Sequence, residues 1–318
     1  MRHASRIVST LAAHAAVLEE QGTGRWAAVL QNGTRLAATA TVDDGWLVLD
    51  ALVDGARGEL PDVRAGAAAS DRLWALLRAH GGLGGAVRFV VRRRAGALRL
   101  ALRADVPLDD EVDVGGRVHE ACAALHEAGS VVMGAATGEA ASPPAPVDVG
   151  ALVRATRWPA VERASGRLAV ELEVPGVFRQ AVVEARPDGR VSASLPVASA
   201  DDDDAPPAPP CRAALGLLLL RAGSVVRLVR AATDEAAVAR YEVVLGDAPA
   251  VVELQHALAA LSMVARLTLR EAAVLRADAG VAAAYLARVG GDAAPKTNNP
   301  GFADPGRARS CEAATQGG

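Results

Sequence analysis

Aromatic side chains make up 3% of this 318-residue chain, lysine occurs once, at Lys296, and the three cysteines, Cys122, Cys211 and Cys311, fall in no Cys-x-x-Cys pair. Each scarcity excludes something. A disulfide framework or a structural zinc site needs paired, closely spaced cysteines, so this pattern points to a reducing cytoplasm. A basic excess is also missing: 34 Lys and Arg against 37 Asp and Glu leave a formal charge of −3, which gives no broad footprint for nucleic acid or an anionic membrane. No apolar run approaches the ~20 residues of a membrane span. The most apolar stretch, AALGLLLL at 213–220, is fenced by Arg212 and Arg221. The N-terminal MRHASRIVSTLAAHAAVLEEQ is interrupted by His14 and followed by no small-residue cleavage site, so it reads as an amphipathic helix rather than a signal peptide. A soluble, cytoplasmic protein with no nucleic-acid or membrane partner is expected.

What is present is apolar bulk and repetition. Hydrophobic residues are 51% of the chain, mostly Ala, Val and Leu, enough for a sizeable core. Arg25-Trp26-Ala27-Ala28-Val29 lies over Arg157-Trp158-Pro159-Ala160-Val161 at an offset of 132, and Arg35-Leu36-Ala37 then falls on Arg167-Leu168-Ala169 and Trp46 on Phe178. With gaps, Leu76-Leu77-Arg78-Ala79 meets Leu219-Leu220-Arg221-Ala222, and Ala123-Ala124-Leu125 meets Ala259-Ala260-Leu261. Matches in the same order indicate a duplication. In the first copy, helical spacing covers 5–20, 71–80 and 116–132, and strand patterns cover 34–42, 45–53, 86–93 and 97–103. The second copy gives helices near 147–157, 211–222 and 249–277, with strands at 167–174, 178–185, 190–195, 224–231 and 238–245. The expected architecture is α+β: two tandem α-β-β-β-α-β-β-α domains, each an antiparallel sheet with helices on one face. Residues 1–133 form copy one, 134–146 a linker and 147–278 copy two. Residues 279–318 follow as a short helical extension and a polar tail too poor in apolar residues to order itself.

The motifs that invite chemistry read better as structure. Gly81-Gly82-Leu83-Gly84-Gly85 is ordered helix, glycines, strand, the reverse of a phosphate loop, and is expected to end a helix. His119, Cys122 and His126 share one helix, but at ~1.5 Å rise per residue the two histidines stand about 10 Å apart and cannot share an ion, so Cys122 is read as a small core residue. Asp201–Asp204 lacks the spaced ligands of a calcium loop and is read as a solvated connection. Arg92-Arg93-Arg94 is read as a solvated strand end, and Trp26 and Trp158 as equivalent core positions. No Gly-x-Ser-x-Gly elbow or recognisable Cys/His pair occurs. No catalytic, cofactor-binding or metal-binding residue is therefore named, and no cofactor is expected.

Leu217-Leu218-Leu219-Leu220-Arg221-Ala222, Val225-Val226-Arg227-Leu228-Val229, Tyr241-Glu242-Val243-Val244-Leu245 and the helix from Val251 through Leu254, Leu258 and Leu261 follow the element order of a known fold. In this order and apolar pattern the chain resembles the type III secretion chaperone-like fold, including the YbjN family. The resemblance implies protein binding rather than catalysis, by a non-enzymatic adaptor, chaperone-like scaffold or subunit of a larger bacterial assembly. Its partner would be another protein, held at exposed strand edges or sheet faces, and the two copies would stand in for the two subunits of the family dimer. An enzyme with a cryptic active site is the alternative.

Overall fold

The computed structural model describes residues 3–32, 34–53, 58–60, 62, 67–83, 85–94, 97–133, 146–164, 166–174, 179–197, 208–233 and 238–290. The Asp201–Asp204 run, most of the linker and the tail from residue 291 lie outside them.

Among the described residues the first copy runs α1 (Ala4–His14), β1 (Ala15–Gly22), β2 (Arg25–Asn32), β3 (Thr34–Asp43), β4 (Trp46–Leu52), α2 (Ala67–Gly82), β5 (Arg88–Arg94), β6 (Ala97–Pro107) and α3 (Val114–Met133). The second runs α4 (Val149–Thr156), β7 (Ala160–Ala164), β8 (Arg167–Leu172), β9 (Arg179–Ala185), β10 (Val191–Pro196), α5 (Pro209–Val225), β11 (Arg230–Thr233), β12 (Ala239–Val244) and α6 (Val251–Ala277), with α7 (Ala279–Gly290) appended. The class is α+β with two six-stranded antiparallel sheets. Their orders, β1-β2-β3-β4-β6-β5 and β7-β8-β9-β10-β12-β11, are the same topology twice.

Among the described residues each copy holds four strands before its middle helix, where the sequence pattern marks three in the second copy and two in the first, leaving β1 and β2 unmarked. In copy one the helix expected over 5–20 stops at His14, because Ile7 and Leu11 complete the buried stripe and the chain then turns extended to pair with β2. The Ala-Ala-Val-Leu-Glu-Glu of β1 has no strand propensity to announce it; cross-strand pairing overrides propensity. The added strands also correct the repeat register. A continuous cross-sheet row, Glu19–Ala27–Thr39–Asp50–Arg103–Arg88, has as its counterpart Val161–Ala169–Val182–Ser194–Glu242–Arg230. Ala27 therefore matches Ala169, an offset of 142, and the offset of 132 is one strand out of step. The slip arises because β2 and β3 both begin with Arg, an apolar residue and two alanines within their first residues (Arg25-Trp26-Ala27-Ala28; Arg35-Leu36-Ala37-Ala38). Trp26 is buried on β2, whereas Trp158 is half-buried in the segment between α4 and β7. They are not equivalent.

Turn chemistry sets the hairpins. Asp44 and Gly45, both at positive φ (48° and 75°), form the tight β3–β4 turn, the conformation that Asp-Gly tolerates best. Helices α1 and α3 cover one face of the first sheet, and α4 and α6 one face of the second. The middle helices cross over instead: α2 packs on α5 and on β11 of the other copy, and α5 packs on β5. This exchange explains the AALGLLLL run, since α5 is enclosed by α2, α6, α7 and two strands and is buried on nearly every side. Gly216 makes the crossing possible, because a Cβ there would stand 3.2 Å from the Leu73 Cβ and 3.3 Å from the Trp74 Nε1. No helix among the described residues is long and apolar enough to cross a membrane.

Candidate functional site

The exchange closes one edge of each sheet. On β5, the Val91 N–H donates to the Ser224 hydroxyl at 2.9 Å, and that hydroxyl donates back to the Val91 carbonyl at 3.1 Å, so α5 satisfies an edge that no strand completes. The Phe89 N–H donates to His80 Nε2 at 2.9 Å. Two fully buried arginines lock the same seam. Arg88 meets Asp105 at 2.5 Å and donates to the Gly223 carbonyl of the other copy, while Arg230 meets Glu242 at 2.9 Å and donates to the Leu83 carbonyl. Leu228, at φ 66°, adds its N–H to Asp105. The opposite edges, β1 and β7, pair with no further strand among the described residues.

On the first sheet, strand alternation sends one set of side chains away from α1 and α3: Arg25, Ala27 and Val29 from β2, Ala37, Thr39 and Thr41 from β3, Asp50 and Leu52 from β4, Arg103 from β6, and Arg92 and Arg94 from β5. This open face encloses a shallow cavity of about 680 Å³ that reaches Val17 and Glu19 on the free strand β1. Its floor is small-residue, Ala27, Ala37, Thr39 and Ala101. On this face Arg103 grips Asp50 bidentately (2.9 and 2.7 Å), and Arg92 donates to the same carboxylate at 2.9 Å. Burial pushes the Asp50 carboxyl up from its ordinary range while Arg103 pulls the other way. The matching face of the second sheet has its charges engaged with one another: Arg167 with Glu184, and both Arg186 and Arg230 with Glu242.

No protein-family model, curated protein or solved structure matches the chain. The functional reading therefore rests on the molecule's own surfaces.

Other concavities among the described residues compete with the open face. One lies between the copies, where Arg117 binds Glu253 through two bonds (2.7 and 2.9 Å) and Glu120 at 2.7 Å, with the His256 ring tilted against Trp46 at a centroid distance of 5.2 Å. Its free volume is about 50 Å³, room for one or two waters. Burial raises Glu120 against the pull of Arg117, but these groups pair with each other rather than converge on a vacant centre. Another, about 380 Å³, holds Arg93, Arg221 and Arg288 where β5 meets α7. Those side chains reach the Val289 carbonyl, the Tyr285 hydroxyl and Glu271.

The residues singled out in the sequence are dispersed. Alternation divides Arg92-Arg93-Arg94, sending Arg92 and Arg94 to the open face and Arg93 toward α7. On α3, burial pushes the Cys122 thiol up to about 12 and lowers His126. His119 meets a residue sequence reasoning did not associate with it: His14 Nε2 lies 2.7 Å from His119 Nδ1, joining α1 to α3. Among the described residues no three His, Cys, Asp or Glu side chains are grouped to hold a metal ion. The glycines end α2 at Gly82, as their order predicts, and Gly85 takes φ 64° with only 3.0 Å between its Cβ position and Ala124 Cβ. Sequence reasoning missed Asp50 and Arg103. Both stand on strands it did identify, and the alternation of those strands was the available signal.

Proposed function

We propose that the protein is a non-enzymatic binding scaffold that takes an extended segment of another protein on the open face of its first sheet and along the free edge of β1. One observation carries this reading: the two copies use α2 and α5 to seal the β5 and β11 edges against each other, and leave β1 and β7 unpaired on one side among the described residues, with Arg25, Ala37 and Arg94 exposed on the outer face of the first sheet. An exposed strand edge offers a row of N–H and C=O groups, and main-chain pairing to it is a general mode of peptide capture. The edge is guarded against indiscriminate pairing by register breaks near both ends of β1 and by Glu19 and Glu20. The internal pairing of copies supports the chaperone-like resemblance, in which two copies replace two subunits, and the buried free thiols Cys122 and Cys211 suit a cytoplasmic setting.

Position-dependent photo-crosslinking tests the reading. A photoreactive residue at Ala37, on the open face, should give adducts with the same protein partner as one at Val17, and one at Leu267, exposed on α6, should not. Adducts of equal yield from Leu267, or none from Ala37 and Val17, would overturn it.

A further inference from the structure

Resting on the scaffold reading, we infer that the segment taken up by the first sheet is an acidic extended strand with carboxylates at alternate positions. The face presents Arg25, Arg92, Arg94 and Arg103 against Glu19 and Asp50. Asp50 is shared by Arg92 and Arg103, so a single carboxylate answers two guanidiniums there. Arg25 and Arg94 are exposed at opposite sides of the cavity. The chain as a whole carries −3, so this face opposes the sign of its own molecule and attracts what the rest repels.

Spacing narrows the ligand. Arg92 and Arg94 stand two residues apart on one strand, about 6.7 Å, which is also the repeat of same-side residues in any extended partner. Carboxylates at i and i+2 of that partner meet both, and guanidinium–carboxylate pairs can be bidentate. The short side chains of Ala27, Ala37, Thr39 and Ala101 leave its backbone room to lie close. Among the described residues no aromatic ring lines the cavity, so they offer no platform on which nucleic-acid bases stack. The second sheet, whose corresponding charges are paired internally, is not assigned this role.

The test is anisotropy with labelled peptides of about twelve residues, alternating Glu-Thr, Gln-Thr or Lys-Thr, and an oligo-dT of similar length, at ionic strengths of about 0.05 and 0.3 M. The Glu peptide should bind at least tenfold more tightly than the Gln peptide and weaken about tenfold at the higher salt, and the Lys peptide should not bind. Arg25→Gln with Arg94→Gln should cost at least tenfold in affinity with the melting temperature unchanged, since neither side chain is buried. Equal affinity for the Gln peptide, with amide protection over 25–41, overturns the acidic assignment and leaves the scaffold reading standing. Tighter binding of oligo-dT, or binding of no peptide, likewise overturns it. A Glu peptide that binds but protects amides outside the first sheet overturns both.

Discussion

Replacing Arg88 by Met probes the seam between the copies. The Met chain keeps most of the apolar stem and removes the guanidinium, so Asp105, with no side-chain exposure, loses its cation and the Gly223 carbonyl loses its donor. Removing one member of a buried pair costs about 3–5 kcal/mol because the other charge is left uncompensated. Against a usual stability of about 5–15 kcal/mol that is a large share. With a urea slope of about 3 kcal/mol/M the unfolding midpoint should fall by about 1–2 M. The double variant Arg88→Met with Asp105→Leu removes both charges and leaves only two unmatched backbone groups, the Gly223 carbonyl and the Leu228 N–H, at about 1 kcal/mol each. It should therefore be more stable than the single variant by about 1–3 kcal/mol. Urea titrations followed by circular dichroism measure both. A loss below about 1 kcal/mol in the single variant, or a double variant less stable than the single, would refute the buried clasp.

Gly216→Val should destabilise by about 1–3 kcal/mol in the same titration, because its side chain enters the space held by Leu73 and Trp74 at the helix crossing. Stability should fall as pH drops below about 6.5: burial holds His80 well below its ordinary value, so the unfolded chain takes up a proton that the folded one does not. His14 and His126, also lowered by burial, add to the slope, and His80→Gln should make it shallower in urea titrations from pH 8 to 5. The Cys122 thiol, buried and raised to about 12, should resist alkylation at pH 8 in the native protein and label fully in urea, as mass spectrometry of its peptide will show.

The elements that were legible in the sequence are those with a strong period or a turn signal. The long α6, the alternating β3 and β4 around Asp44-Gly45 and the hairpin at Pro187-Asp188-Gly189, where Gly189 takes φ 83°, are examples. Of the three strands missed, the interior β2 goes unmarked because Trp26-Ala27-Ala28-Val29-Leu30 is apolar throughout and shows no alternation, and the other two have a common cause. Strands β1 and β7 are edge strands of mixed polarity, with exposed residues on both faces, so neither alternation nor apolarity marks them. Missing them displaced the repeat register by one strand and paired Trp26 with the wrong counterpart. The crossing of α2 and α5 depends on Gly216, and the seating of α5 on β5 on Gly223 and Ser224, residues whose meaning appears only when the other copy is beside them. The candidate face was half legible: Arg92 and Arg94 stood out as part of a charge run, but Asp50, Arg103 and Arg25 are isolated in sequence and become neighbours only through sheet register.

Hydrogen exchange of the protein with and without the partner that crosslinks to Ala37 measures the central claim directly. Complex formation should protect amides of β1 and its neighbours, Val17 to Gln31 and Arg35 to Thr41, and of β5 around Arg92 and Arg94, and leave those around Arg117, Glu120, Glu253 and His256 unchanged. Protection confined to that inter-copy cleft, with β1 exchanging as in the free protein, would contradict the scaffold account.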